Sequence, residues 1–102
     1  INYNSTVKDC DIVYTDTWID MEFFIDPEFK KEKEKRVEMM LPYQINKRLL
    51  KENKNFLIMH DMPIHRGYEI YNDIIDHPNS LIYQQSDNRL YSAKAILKKL
   101  LV

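Results

Sequence analysis

A chain of 102 residues has room for one domain. Its 15 Lys+Arg against 16 Asp+Glu leave a formal net charge of -1, without the basic excess that a nucleic-acid binder needs, and 44% hydrophobic residues exclude intrinsic disorder. A single glycine excludes the G-x-G-x-x-G dinucleotide fingerprint and the glycine-rich phosphate loop, and no apolar run approaches the ~20 residues that cross a bilayer. The lone cysteine supports neither an internal disulfide nor a structural zinc site, and no basic segment with an apolar core opens the chain. A cytoplasmic protein without metal or cofactor is therefore expected.

Asp11-Ile12-Val13-Tyr14-Thr15-Asp16 is a β-branched and aromatic run between acidic residues and predicts the first strand. Asp26 reads as an N-cap with Pro27 as the first helical residue, and the helix then runs from Glu28 to Leu41 with Phe29, Val37, Met40 and Leu41 on one face. Within it, Lys30-Lys31-Glu32-Lys33-Glu34-Lys35-Arg36 mixes signs and reads as a solvated face laced with i,i+4 pairs. Pro42 ends that helix, Asn46 caps a short second one through Leu49 and Leu50, and Asn53-Lys54-Asn55 is a turn. Phe56-Leu57-Ile58-Met59 reads as a strand buried on both faces, ending in His60-Asp61-Met62-Pro63. A short helix is expected over Tyr68 to Asp76, stopped by Pro78-Asn79, and a third strand over Ser80-Leu81-Ile82-Tyr83-Gln84-Gln85. The last helix runs from about Asp87 to the end, burying Leu90, Ala93, Leu97, Leu100 and Leu101 at helical spacing.

Alternating strands and helices predict an α/β fold, a parallel sheet with right-handed crossovers and helices on both faces. Ligands in such sheets sit beyond the carboxyl ends of the strands. Those ends are Asp16, His60-Asp61, and Gln85 leading to Arg89. Topology alone thus gathers carboxylates, an imidazole and a guanidinium at one crevice.

Each of these residues also has a plain structural reading. An isolated aspartate such as Asp16 more often caps a turn, and Trp18 and Met21 fill a core or shape a pocket wall with equal ease. His60, after four apolar residues, is more often a hydrogen-bonded, half-buried histidine than a catalyst. Asp61 resists that treatment, because a carboxylate directly after a buried strand is costly unless it is paired, solvated or in use. Arg89 either bonds the carbonyls of a neighbouring turn or points its charge into the crevice. His60, Asp61 and His65 lack the ligand spacing of a metal site.

Taken in order, these segments resemble one family. Asp11-Ile12-Val13-Tyr14-Thr15-Asp16-Thr17-Trp18-Ile19-Asp20-Met21 is similar to the D-V-I-Y-T-D-x-W-x-S-M-G segment of ornithine carbamoyltransferases. Leu41-Pro42-Tyr43-Gln44-Ile45-Asn46 resembles that family's P-Y-Q-V-N, and Met59-His60-Asp61-Met62-Pro63 its M-H-C-L-P. Asp87-Asn88-Arg89-Leu90-Tyr91-Ser92-Ala93-Lys94-Ala95 resembles its E-N-R-x-x-x-x-K-A helix start, and the likeness extends over essentially the whole chain. The resemblance implies the C-terminal part of the amino-acid-binding domain, a Rossmann-like half of a carbamoyltransferase's second domain, with the amino-terminal carbamoyl-phosphate domain absent.

The activity implied is carbamoyl transfer from carbamoyl phosphate to an amine, within arginine metabolism and in a homotrimer whose subunits complete one another's sites. The resemblance places the acceptor's α-amino group near Asp16, Asp20 and Met21. It places the carbamoyl group near Asp61 and Met62 with its oxygen near Arg89, so that Asp61, Arg89 and a supporting His60 are the candidate catalytic residues. The sequence departs from the family pattern where Asp20 replaces the serine, Glu22 the glycine, Asp61 the cysteine and Met62 the leucine. The added carboxylates favour a more cationic acceptor than ornithine, such as a diamine or another basic amino acid. A non-catalytic module that binds a small cationic metabolite is the competing expectation.

Overall fold

The computed structural model describes the backbone of residues 3–102 and the side chains of residues 5–102. Helix α1 (Tyr3–Lys8) leads into strand β1 (Ile12–Thr15), and helices α2 (Glu22–Ile25) and α3 (Lys30–Met40) form the crossover to strand β2 (Leu57–His60). Helix α4 (Asn72–Ile75) and the long helix α5 (Ile82–Leu101) follow. The strands pair in parallel with Ile12 opposite Leu57 and Thr15 opposite His60, so both carboxyl ends emerge together. The architecture is α/β with a parallel sheet, as expected.

Local sequence accounts for one helical start. Asp26 accepts the Glu28 amide at 2.9 Å ahead of Pro27, opening a 3₁₀ turn (Pro27–Phe29) that runs into α3. The charged run on α3 is solvated and carries the i,i+4 pair Glu32–Arg36 at 3.6 Å. Asn46 does cap, accepting the Leu49 amide at 3.0 Å, but residues 46–52 form turns rather than a helix. The helix expected over Tyr68 to Asp76 shrinks to α4. Its first residues are drawn into backbone bridges instead, with Ile70 pairing with Ile45 and Gly67, at φ 83°, turning the chain so that its amide meets the Ile70 carbonyl.

The expected third strand is absent among the described residues. Ser80 makes a single parallel bridge to Ile58, flanked by the Ile58 amide on Asn79 O and the Leu81 amide on Ile58 O, and the chain then turns helical at Ile82. Burial explains the outcome. Ile82 is buried and Gln85 and Ser86 are half-buried while Tyr83 and Gln84 are exposed, a three-to-four spacing that only a helix satisfies.

One core cluster holds Ile45, Leu50, Phe56, Ile58, Ile70, Ile74, Ile75 and Ile82. The stripe expected to be buried on the last helix is instead exposed: Leu90, Ala93, Leu97, Leu100 and Leu101 all face outward. Lengths dictate this. Four strand residues span roughly 13 Å, whereas the twenty of α5 span roughly 30 Å, so only the first turns meet the sheet. Phe29, Val37, Met40 and Leu41 are likewise exposed or half-buried, and α3 buries no residue.

Candidate functional site

Parallel register places Asp16 and Asp61, each following the last residue of its strand, at the same edge of the sheet. A cleft of about 260 Å³ opens there, with Asp16, Asp20 and Met21 on one wall and Asp61, Met62 and His65 on the other. Asp16 also serves its own turn, its Oδ1 accepting the Thr17 amide at 2.7 Å, so the capping and cleft-lining readings are both realised. Asp20 lies 3.9 Å from Arg36 Nη1, and that guanidinium sits 4.4 Å above the Phe23 ring. Trp18 is half-buried and lines neighbouring cavities with Tyr14 and Met40, which separates it from Met21 in the cleft.

Arg89 projects from α5 to the second wall. Its Nη1 is 3.4 Å from Asp61 Oδ1 and 3.5 Å from the Met62 carbonyl oxygen. It touches that wall from the rim, beside a groove it shares with Met59 and Gln85, and does not line the cleft itself. Of the three carboxylates that depart from the family pattern, the two that line the cleft are each met by an arginine, Asp20 by Arg36 and Asp61 by Arg89.

His60 is fully buried rather than half-buried, and it stands behind the wall, outside the cleft. Its backbone amide donates to Gln85 Oε1 at 3.0 Å, and Gln85 Nε2 donates to the Tyr14 hydroxyl at 2.9 Å. Gln85 therefore does reach the strand ends, from the first turn of a helix instead of from a strand. The His60 Nε2 lies 2.9 Å from Glu69 Oε1, which also accepts the His65 amide at 2.8 Å. Burial pushes the Glu69 carboxyl up, but the bonds from His60 and His65 outweigh it and hold the group below its ordinary range. Glu69 is then an ionised acceptor, so the His60 Nε2 is the donor. Sequence reasoning missed Glu69. The signal was a histidine at the end of a buried strand, which needs a partner, with one acidic residue nine positions on.

Among the described residues no group of three or more His, Cys, Asp or Glu is arranged to hold a metal ion, and no helix is long and apolar enough to cross a membrane. Carboxylates and an arginine at a strand-end cleft suit a substrate carrying both cationic and polar carbonyl groups.

Residues 1–100 match the family described as aspartate/ornithine carbamoyltransferase, Asp/Orn binding domain. The ornithine carbamoyltransferase of Thermococcus kodakarensis is 41% identical over 92 residues, 89% of this chain and 27% of that protein. Among solved structures, the ornithine carbamoyltransferase from Pyrococcus furiosus superposes with a TM-score of 0.73 at 38% identity, covering 94% of this chain and 29% of its own. The Thermus thermophilus ornithine carbamoyltransferase gives 0.76 at 29% identity, covering 98% and 30%. The chain thus spans less than a third of the length of these relatives. With almost every residue inside the match and a solved member superposing over 94% of its length, this chain belongs to the aspartate/ornithine carbamoyltransferase family, in its Asp/Orn-binding domain.

Proposed function

We propose that the full-length protein transfers the carbamoyl group of carbamoyl phosphate to the amine of ornithine or a related cationic amine, with this chain as the amine-binding half. The reading is carried by one juxtaposition: Asp16, Asp20 and Met21 line, together with Asp61 and Met62, a single cleft at the strands' carboxyl ends. The carboxylates of Asp16 and Asp20 offer charge to an acceptor's ammonium groups. In the reaction the lone pair of the neutral amine forms the new N–C bond, the C–O bond to phosphate breaks, and the nitrogen sheds its extra proton. Arg89 stabilises the charge that develops on the carbamoyl oxygen, its planar fork carrying donors on three nitrogens. Asp61 and the Met62 backbone hold the carbamoyl group, and His60 supports their wall from behind.

A carbamoyl-phosphate-binding partner domain, a homotrimeric assembly, a role in arginine metabolism and a cytoplasmic setting belong to the same reading. The family membership supports the first three, and the lone cysteine suits a reducing compartment. The test is a carbamoylation assay of the full-length protein with ornithine, putrescine, lysine, agmatine and a neutral amine, reading phosphate release and the carbamoylated product. Because Asp20 and Asp61 add carboxylates, a diamine or another basic amino acid is expected to match or exceed ornithine. Ornithine as the best acceptor by a wide margin would show both aspartates to be neutral replacements. Saturable cation binding with no product from any amine would leave the binding-module reading in its place.

A further inference from the structure

Glu69 lies outside the cleft, yet it and His60 are both fully buried and bonded to each other at 2.9 Å. We propose that Glu69 is a positioning residue for the carbamoyl transfer inferred above, fixing through His60 and the His65 amide the loop that carries Asp61 and Met62. The proposal rests on that functional reading.

One atom makes both contacts. Glu69 Oε1 meets the His60 ring at 2.9 Å and the His65 amide at 2.8 Å. His60 immediately precedes Asp61, and His65 lines the cleft at the other end of the same wall. A single oxygen therefore sets the separation of the wall's two ends. The network continues beyond the wall, since the His60 amide is held by Gln85, which in turn bonds Tyr14 of β1. Gln85 stands one helical turn before Arg89 on α5, so the anchor that fixes His60 also fixes the stretch of helix from which Arg89 reaches Asp61 and Met62. Stability alone does not call for such a group, because a buried polar pair is often replaced by packed apolar side chains without loss. What an apolar pair cannot do is hold two donors at one point.

The test compares Glu69→Gln and Glu69→Asp in the full-length protein, both preferred to alanine, which would leave two buried donors unpaired. Glutamine keeps the reach and an acceptor oxygen and loses the charge, whereas aspartate keeps the charge and is one methylene short. The glutamine variant is expected to stay within about threefold of wild-type kcat with its His65 amide still protected from hydrogen exchange. The aspartate variant is expected to lose roughly tenfold or more in kcat, with a smaller change in KM for the amine and faster exchange at His65. The reverse ranking, equal impairment of both, or two variants equal to wild type would each overturn the proposal. Should wild-type protein carbamoylate no amine, the functional reading fails, while the exchange ranking at His65 still decides whether Glu69 holds the loop.

Discussion

Arg89 and Asp61 have side chains 64% and 53% exposed, so their 3.4 Å contact contributes little to stability, ~0–1 kcal/mol for such surface pairs. Function is where Arg89 is expected to matter. Arg89→Ala in the full-length protein should lower kcat by ~10²-fold or more, as loss of an oxyanion donor does. Arg89→Lys should not restore it fully, because a point charge cannot reproduce a planar fork. Steady-state kinetics decide this, and an unchanged kcat would return Arg89 to a surface pair. Glu69 has the opposite profile, fully buried with both of its hydrogen bonds on Oε1. Its carboxyl is held below the ordinary glutamate value of roughly 4.3 in the folded state. In the window between that value and the lower folded one, the unfolded chain binds more protons, so stability rises with pH. The contribution is complete above the ordinary value and fades as pH falls through the folded one. The stability difference between wild type and Glu69→Gln, measured by denaturant titration, should therefore be constant near neutrality and narrow below about pH 4.

Among the groups that tie separate elements of this fold together is Asn53. It is buried, donates from Nδ2 to the carbonyls of Val7 and Cys10 at 2.8 and 2.7 Å, and accepts the Asn55 amide at 3.0 Å. The end of α1 is thereby fastened to the turn before β2. Asn53→Ala should cost about 1–3 kcal/mol, since it strands buried backbone groups, and urea unfolding measures it. Ile58, fully buried in the centre of β2 beneath Ile82, tests the core more directly. Ile58→Ala should cost about 2–5 kcal/mol in the same experiment. A loss under 0.5 kcal/mol would place Ile58 outside the core that the packing assigns to it.

At the scale of the whole molecule, a two-stranded sheet and one core cluster leave much apolar surface open. Ile12 and Tyr14 on β1 are 51% and 55% exposed, and Leu100 on α5 is 75% exposed. Sheets this small are marginal by themselves. Among the described residues the cleft's lining holds no lysine or arginine, with Arg89 at its rim and Arg36 reaching it through Asp20, whereas a bound phosphate ordinarily meets several donors at once. The 102-residue chain alone is accordingly expected to form no carbamoylated product from carbamoyl phosphate and ornithine under conditions where the full-length protein does. Product from the purified chain would refute this.

Local signals were sufficient wherever a residue's role is settled by its immediate neighbours. Asp26 and Pro27 opened a helical segment, the apolar runs around Val13 and Ile58 made strands, and two strand ends marked Asp16 and Asp61 as neighbours, because side-chain capping and backbone alternation act within a few residues. The order of the motifs was likewise enough to point to the carbamoyltransferase family. Short apolar runs were ambiguous, and Leu81-Ile82-Tyr83 became the root of a helix that buries Ile82 in the core and brings Gln85, on the same face, to the strand ends. The stripe on α5 could not announce that it lies beyond the reach of a four-residue strand, since a periodic sequence carries no information about what stands opposite it. Nor could the sequence pair Asp61 with Arg89, Asp20 with Arg36, or His60 with Glu69. Those contacts join residues 9 to 28 positions apart across turns, and only the closed path of the chain brings their polar groups within hydrogen-bonding or ion-pair distance.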